Sequence, residues 1–168
     1  MKNLRCVLTA LAAAVGLTLV AVPFLAAQTP TAEADLQATL IQQDAAQVEF
    51  HNGRPAAVKA LWSHAQDVTL TGGAGGGIEK GWKNVSARLD WASAQYTKGA
   101  QTNERVKVAV SGDFAYVVQY EHIRFHVPGK ANESKRDYRV TTVFRREPAG
   151  WRVVHRHADT LLTRQTPR

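Results

Sequence analysis

The chain has a single cysteine among its 168 residues, Cys6, and that scarcity decides what the protein cannot be. Cys6 lies in an N-terminal stretch built like a secretory leader: Lys2 and Arg5, then an apolar run from Cys6 to Leu25, closing on Ala26, Ala27 and Gln28. Removing residues 1–27 leaves a mature chain with no cysteine at all, in a compartment where disulfides are permitted. A disulfide framework, a thiol nucleophile and a cysteine metal site are thereby excluded, and the fold has to rest on its core. The expected address is periplasmic or secreted. Leu25 stands where cleavage after Ala27 prefers a small residue, so the scissile bond stays open. The run is also nearly long enough to cross a membrane, which makes an uncleaved anchor the other reading.

Nucleic-acid motifs are also missing. The chain carries 21 Lys and Arg against 14 Asp and Glu, a net charge of +7. The leader takes two cationic residues and no acidic one, which leaves 19 against 14, a net charge of +5. That balance invites an anionic partner, but acids interleave the basic residues and no recognition motif organises them, so no nucleic-acid partner is expected. The glycine run Gly72-Gly73-Ala74-Gly75-Gly76-Gly77 lacks a Gly-Lys-Ser/Thr ending and dinucleotide spacing. A flexible loop or lid is expected there ahead of a phosphate cradle. No internal repeat is visible, and once the leader is gone no membrane segment is expected.

What remains reads as one domain. After a tether at residues 28–34, Leu36, Leu40, Ile41, Ala45 and Val48 recur at helical spacing, predicting a helix from Asp35 to Asn52 that stops before Gly53. Pro55 opens a second helix, Pro55 to His64, with Val58, Leu61 and Trp62 on its apolar side. Asp67 to Thr71 alternates as a short strand. Trp82, Val85, Leu89 and Ala92 form the stripe of a third helix, Trp82 to Ala94. Four strands follow: Arg105 to Val110, Phe114 to Val127, Arg136 to Arg146 and Trp151 to Leu162. Their turns lie at Ser111-Gly112-Asp113, at residues 128–135 and at Glu147-Pro148-Ala149-Gly150. Helices followed by a strand meander predict an α+β fold with helices on one face of a curved antiparallel sheet. The domain is expected over residues 35–162, with a polar tail at 163–168.

Particular residues carry a resemblance. Leu61-Trp62, Asp67-Val68-Thr69-Leu70, the glycine loop, Gly81-Trp82 and Gly112-Asp113-Phe114-Ala115-Tyr116-Val117 lead to Arg139-Val140-Thr141-Thr142-Val143-Phe144-Arg145-Arg146. With Gly150-Trp151-Arg152-Val153-Val154-His155-Arg156-His157, the set resembles the SnoaL-like, DUF4440-type branch of the NTF2-like superfamily. The resemblance implies a cone of helices and bent sheet around a ligand pocket, often dimeric through the outer sheet face. It does not imply one reaction, because relatives include isomerases, cyclases, epoxide hydrolases, dehydratases and assembly domains. The isomerase pattern uses a tyrosine on the first helix, and this helix has none; the Asp-Arg-Asp relay of the epoxide hydrolases has no counterpart. Asp159 with His155 or His157 is a loose match to the cyclase pattern, and similar His-x-His endings occur in a calmodulin-dependent kinase association domain.

Candidate chemistry gathers on the last strand. Strict alternation from Trp151 puts His155, His157 and Asp159 on the face of Trp151 and Val153, where an imidazole beside a carboxylate can act as a general base or bind an acid. Those three are the expected catalytic residues, or else a polar seam bonded to Thr142 or Tyr138 across the hairpin. If Arg146 pairs with Trp151, Thr142 stands opposite His155 and Val140 opposite His157. Arg139 is the expected anion contact, Tyr116 and Tyr120 share a strand face and are expected to bind the ligand as wall or hydrogen-bond donor, and Trp62 and Trp82 are expected to wall the ligand, with Trp91 in the core. Glu121 and Asp67 receive no role. His122 and His126 could join the His-x-His pair at a metal, but their facing is open and no metal site or cofactor is expected. Three functions stay open: an exported binding protein for a small apolar or acidic molecule, an acid–base enzyme in the same pocket, and an oligomeric assembly domain, with a homodimer expected.

Overall fold

The computed structural model describes residues 31–160. The expected leader, residues 28–30 of the tether and the C-terminal tail lie outside the described residues. Helix α1 (Ala32–Phe50) begins within the expected tether, where the Thr31 hydroxyl caps it by accepting from the Ala34 amide and Glu33 and Asp35 fill its first turn. Then come α2 (Ala56–Ala60), β1 (Thr69–Thr71), β2 (Ile78–Lys80), α3 (Trp82–Ser93), β3 (Thr97–Ser111), β4 (Phe114–His126), β5 (Glu133–Glu147) and β6 (Gly150–Thr160). The six strands form one sheet in the order β2-β1-β6-β5-β4-β3, antiparallel except for the parallel pair of β1 and β6. The fold is the expected α+β cone, with the helices filling the concave side of a curled, unclosed sheet.

Several local expectations change. On α1 the buried face runs through Leu36, Leu40, Gln47 and Phe50, whereas Ile41 is 62% exposed and Val48 40%. Gln47, a polar residue outside the apolar pattern, is part of this inner face. The second helix ends at Ala60, not His64, because residues 61–63 leave it to pair with β6: the Ser63 amide donates to the Val153 carbonyl and the Val153 amide to the Leu61 carbonyl, both at 2.9 Å. β2 was not foreseen, and β3 starts eight residues before Arg105. Strict alternation of Val106, Val108 and Val110 fails because the β3–β4 register shifts between Arg105 and Lys107, and Val106 is left 58% exposed.

A second register shift decides the functional geometry. Arg146 pairs with Trp151 as expected and Phe144 with Val153, but Val143 then pairs with His155, so that Val154 is an extra residue. Val153 and Val154 are both buried. Beyond this bulge the strand's phase is inverted: Arg156 and Ala158 stand in line with buried Thr142 and Val140, while His155 and His157 pair with Val143 and Thr141. The bulge falls where the sheet neighbour of β6 changes from residues 61–63 to β1, which pairs Thr69 with His155.

The end of α1 is tied down from two sides. The Ser93 hydroxyl, at the end of α3, donates to the Phe50 carbonyl at 2.7 Å. The Asn52 amide donates to the Gly99 carbonyl at 2.9 Å and accepts from the Gly99 amide at 3.2 Å. Gly99 packs so closely on α1 that a Cβ there would collide with the His51 carbonyl. These ties fix His51 over the inner face of the sheet.

Candidate functional site

A cavity of about 80 Å³ lies between the helices and the inner sheet face. Phe50 and Val58 from the helical layer, Leu61 and Trp62 from the segment after it, and Leu70 and Ile123 from the sheet give it apolar walls. Its polar groups enter from β4, β5, β6 and the end of α1. On β4, alternation turns Ala115, Val117, Gln119, Glu121, Ile123 and Phe125 inward, every one buried. Glu121 is thus 1% exposed in the core. Its carboxylate accepts from Arg156 Nη2 at 2.6 Å and from Gln119 Nε2 at 3.0 Å. Such a buried pair is costly to break, because loss of either partner strands a charge at roughly 3–5 kcal/mol. The bulge at Val154 is what turns Arg156 toward Glu121.

His51 faces this pair from α1. Its ring packs edge-on against Phe50 and Tyr96, with centroids 5.4 and 4.8 Å away, and Nδ1 is buried without a hydrogen-bond partner. Burial first, then the positive charges of Arg156 and Arg136, push the imidazole pKa down to about 4 against a weaker opposing pull from the Gln47 backbone. His51 is therefore neutral at pH 7. Beside it, Arg136 Nη1 donates to the hydroxyls of Tyr96 and Tyr138, at 3.2 Å each. Burial is the largest influence on Tyr96 and raises its pKa.

The glycine segment closes one side of the cavity. Gly72, Gly73 and Ala74 line it, together with Arg88 and Trp91 of α3. Arg88 Nη2 donates to the Gly75 carbonyl at 2.6 Å, and its guanidinium lies 4.2 Å from the Trp91 ring centroid. Trp91 is 49% exposed, so it borders the cavity rather than the core. Gly73 is needed for close packing, since a Cβ there would lie 2.5 Å from the Tyr138 ring.

Most residues expected to form the site lie on the other side of the sheet. Tyr120, Arg139 and Asp159 form one row across β4, β5 and β6, and Tyr116, Val143 and His155 another. Arg139 grips Asp159 through two bonds, at 3.1 and 2.7 Å, on the outer surface. His155 Nδ1 bonds the Thr69 hydroxyl at 2.8 Å; desolvation and then His157 lower its pKa. His157 is exposed. The expectation that these histidines share the face of Trp151 is thus corrected, and so is the register that set Thr142 opposite His155. Trp62 does line the cavity, while Trp82 stacks on His64 with centroids 4.0 Å apart and does not. His122 pairs with Asp137 at 2.6 Å, and among the described residues no group of three or more His, Cys, Asp or Glu side chains is placed to hold a metal ion. Asp67 bonds Arg145 at 2.6 Å.

His51, Glu121, Arg136 and Arg156 were not foreseen as site residues. Two had a readable signal: Glu121, with Gln119, interrupts an otherwise apolar alternation on β4, and Arg156 stands between Val154 and Ala158. His51 had none, because its placement depends on the distant contacts of Ser93 and Gly99.

A family model described as SnoaL-like domain matches residues 40–161. No curated protein matches the chain. Among solved structures, an NTF2-like family protein from Streptomyces avermitilis is 21% identical, with a TM-score of 0.67 over 79% of this chain and 100% of its own. A ketosteroid isomerase-like protein from Erwinia carotovora is 16% identical, with a TM-score of 0.61 over 77% and 96%. The CaMKII hub of S. rosetta is 22% identical, with a TM-score of 0.57 over 74% and 95%. At these identities the likeness is one of fold.

Proposed function

The chain belongs to the SnoaL-like domain family, and on that premise we propose that it is an exported binding protein whose enclosed cavity holds a small apolar or acidic molecule. The observation that carries this reading is the cavity itself: apolar walls converging on a few fixed polar groups, the usual build of a small-molecule site. Binding stands ahead of acid–base catalysis because the three cavity groups with displaced pKa values move away from neutrality, His51 downward and Tyr96 and Arg136 upward. Thermal-shift titration with small apolar alcohols and acids tests it. The native protein should gain stability with at least one of them, and Ala92→Trp, which fills the cavity from α3, should fold and lose the gain. Equal gains in that variant would sink the proposal.

A second reading, assembly with another copy, is supported by a different surface. Phe114 and Tyr116 are 51% and 42% exposed on the outer sheet face, beside Val118 and Val143. The two readings are compatible, since the surfaces lie on opposite sides of the sheet.

A further inference from the structure

Ten arginines fall among the described residues, and seven of them form ion pairs with carboxylates. The other three are Arg88, Arg136 and Arg152. Arg152 donates to the neighbouring Trp151 carbonyl and lies away from the cavity. Arg88 and Arg136 both line it. Each is held by neutral groups alone: Arg88 by the Gly75 carbonyl and the Trp91 ring, Arg136 by two tyrosine hydroxyls and the faces of Tyr96 and Phe125, whose centroids lie 5.7 and 5.3 Å away. Ring faces and hydroxyls orient a guanidinium without cancelling its charge.

Charge bookkeeping for the cavity then has one sign. Its ionised lining residues are Glu121, Arg156, Arg136 and Arg88. Glu121 neutralises Arg156, and two positive charges remain. A neutral His51 adds none.

Size supplies the other limit. At about 80 Å³ the cavity is small, which favours a ligand of several non-hydrogen atoms over a fused ring system of steroid size. The aromatic and aliphatic walls suit a body with no further charge, which disfavours a polyanion.

We infer that the cavity is a receptor for a short monocarboxylate, whose acid group is taken by Arg136 with Arg88 as the second cation and whose apolar body lies against Phe50, Trp62 and Ile123. This deepens the binding proposal and rests on it. Arg136 is already oriented by Tyr96 and Tyr138, so its geometry is set before the ligand arrives, which favours tight binding for few contacts.

The test pairs valerate with valeramide, which match in size and differ in charge, in calorimetric titrations of the full chain. Valerate should bind at least tenfold more tightly, Arg136→Gln should reduce that preference below threefold, and Arg152→Gln should retain it. Should Arg136→Gln fold poorly, Arg88→Gln serves as the second variant and should weaken valerate binding by at least threefold. Equal affinity for acid and amide would overturn the carboxylate assignment while leaving the cavity a binding site. Full acid preference in both Arg136→Gln and Arg88→Gln would overturn the assignment to these arginines. Binding of neither probe, together with no response to the broader thermal-shift panel, would overturn the cavity proposal as well.

Discussion

His51 shows how one side chain records the conditions under which the site can exist. An unfolded histidine titrates near 6.5, and this one near 4 when folded. Between those values the unfolded chain binds a proton that the folded chain refuses, so stability rises with pH across the window and is lost as pH falls through it. The loss amounts to about 3 kcal/mol. His155, also lowered, acts in the same direction, whereas Asp67 and Glu147, held low mainly by Arg145 and by hydrogen bonding, lose their contributions only in the more acidic carboxylate range. Urea unfolding at about pH 7 and about pH 4.5 should show this decline in the native protein and a flatter response in His51→Gln. Identical slopes would place the acid sensitivity elsewhere. Little of this was legible in the sequence, where His51 is one more residue near a helix end. The two histidines that stood out by spacing, His155 and His157, lie on the outer face.

At the scale of elements, the position of α1 depends on the contact between its last turn and the start of β3. Gly99 allows that contact because it has no side chain, and Asn52 bonds both its amide and its carbonyl. Gly99→Ala should therefore cost roughly 1–3 kcal/mol through overpacking. It should also weaken ligand binding by moving His51, whereas Gly112→Ala, at an open turn with no nearby atom, should leave binding unchanged. Chemical denaturation and ligand titration of both variants check this, and equal affinities would show that the α1 terminus does not position the site. The meander, the turns and the third helix were legible because each follows from local pattern and turn chemistry. The inner face of α1, the early part of β3 and the phase of β6 were not, because each is set by a partner far away in sequence. Strand alternation carries information only until the next bulge.

At the scale of the whole molecule, the sheet separates two surfaces with different tasks. Inside lies the cavity with its Glu121–Arg156 pair and aromatic wall. Outside lie Tyr116, Tyr120, His155, His157 and the Arg139–Asp159 pair, beside exposed Phe114. If the outer face joins two copies, light scattering should give a dimer mass for the native chain and a monomer mass for Tyr116→Glu, with ligand affinity retained. A monomeric native chain at high concentration would remove the assembly reading. The two surfaces are set by the parity of one strand. Deleting Val154 would exchange the surroundings of every residue after it, sending His155, His157 and Asp159 toward the interior and Arg156 into water, and leaving Glu121 buried without its cation. The last strand thus carries two alternative sets of chemical groups one residue out of step, and a single-codon insertion or deletion is the genetic event that would swap one for the other.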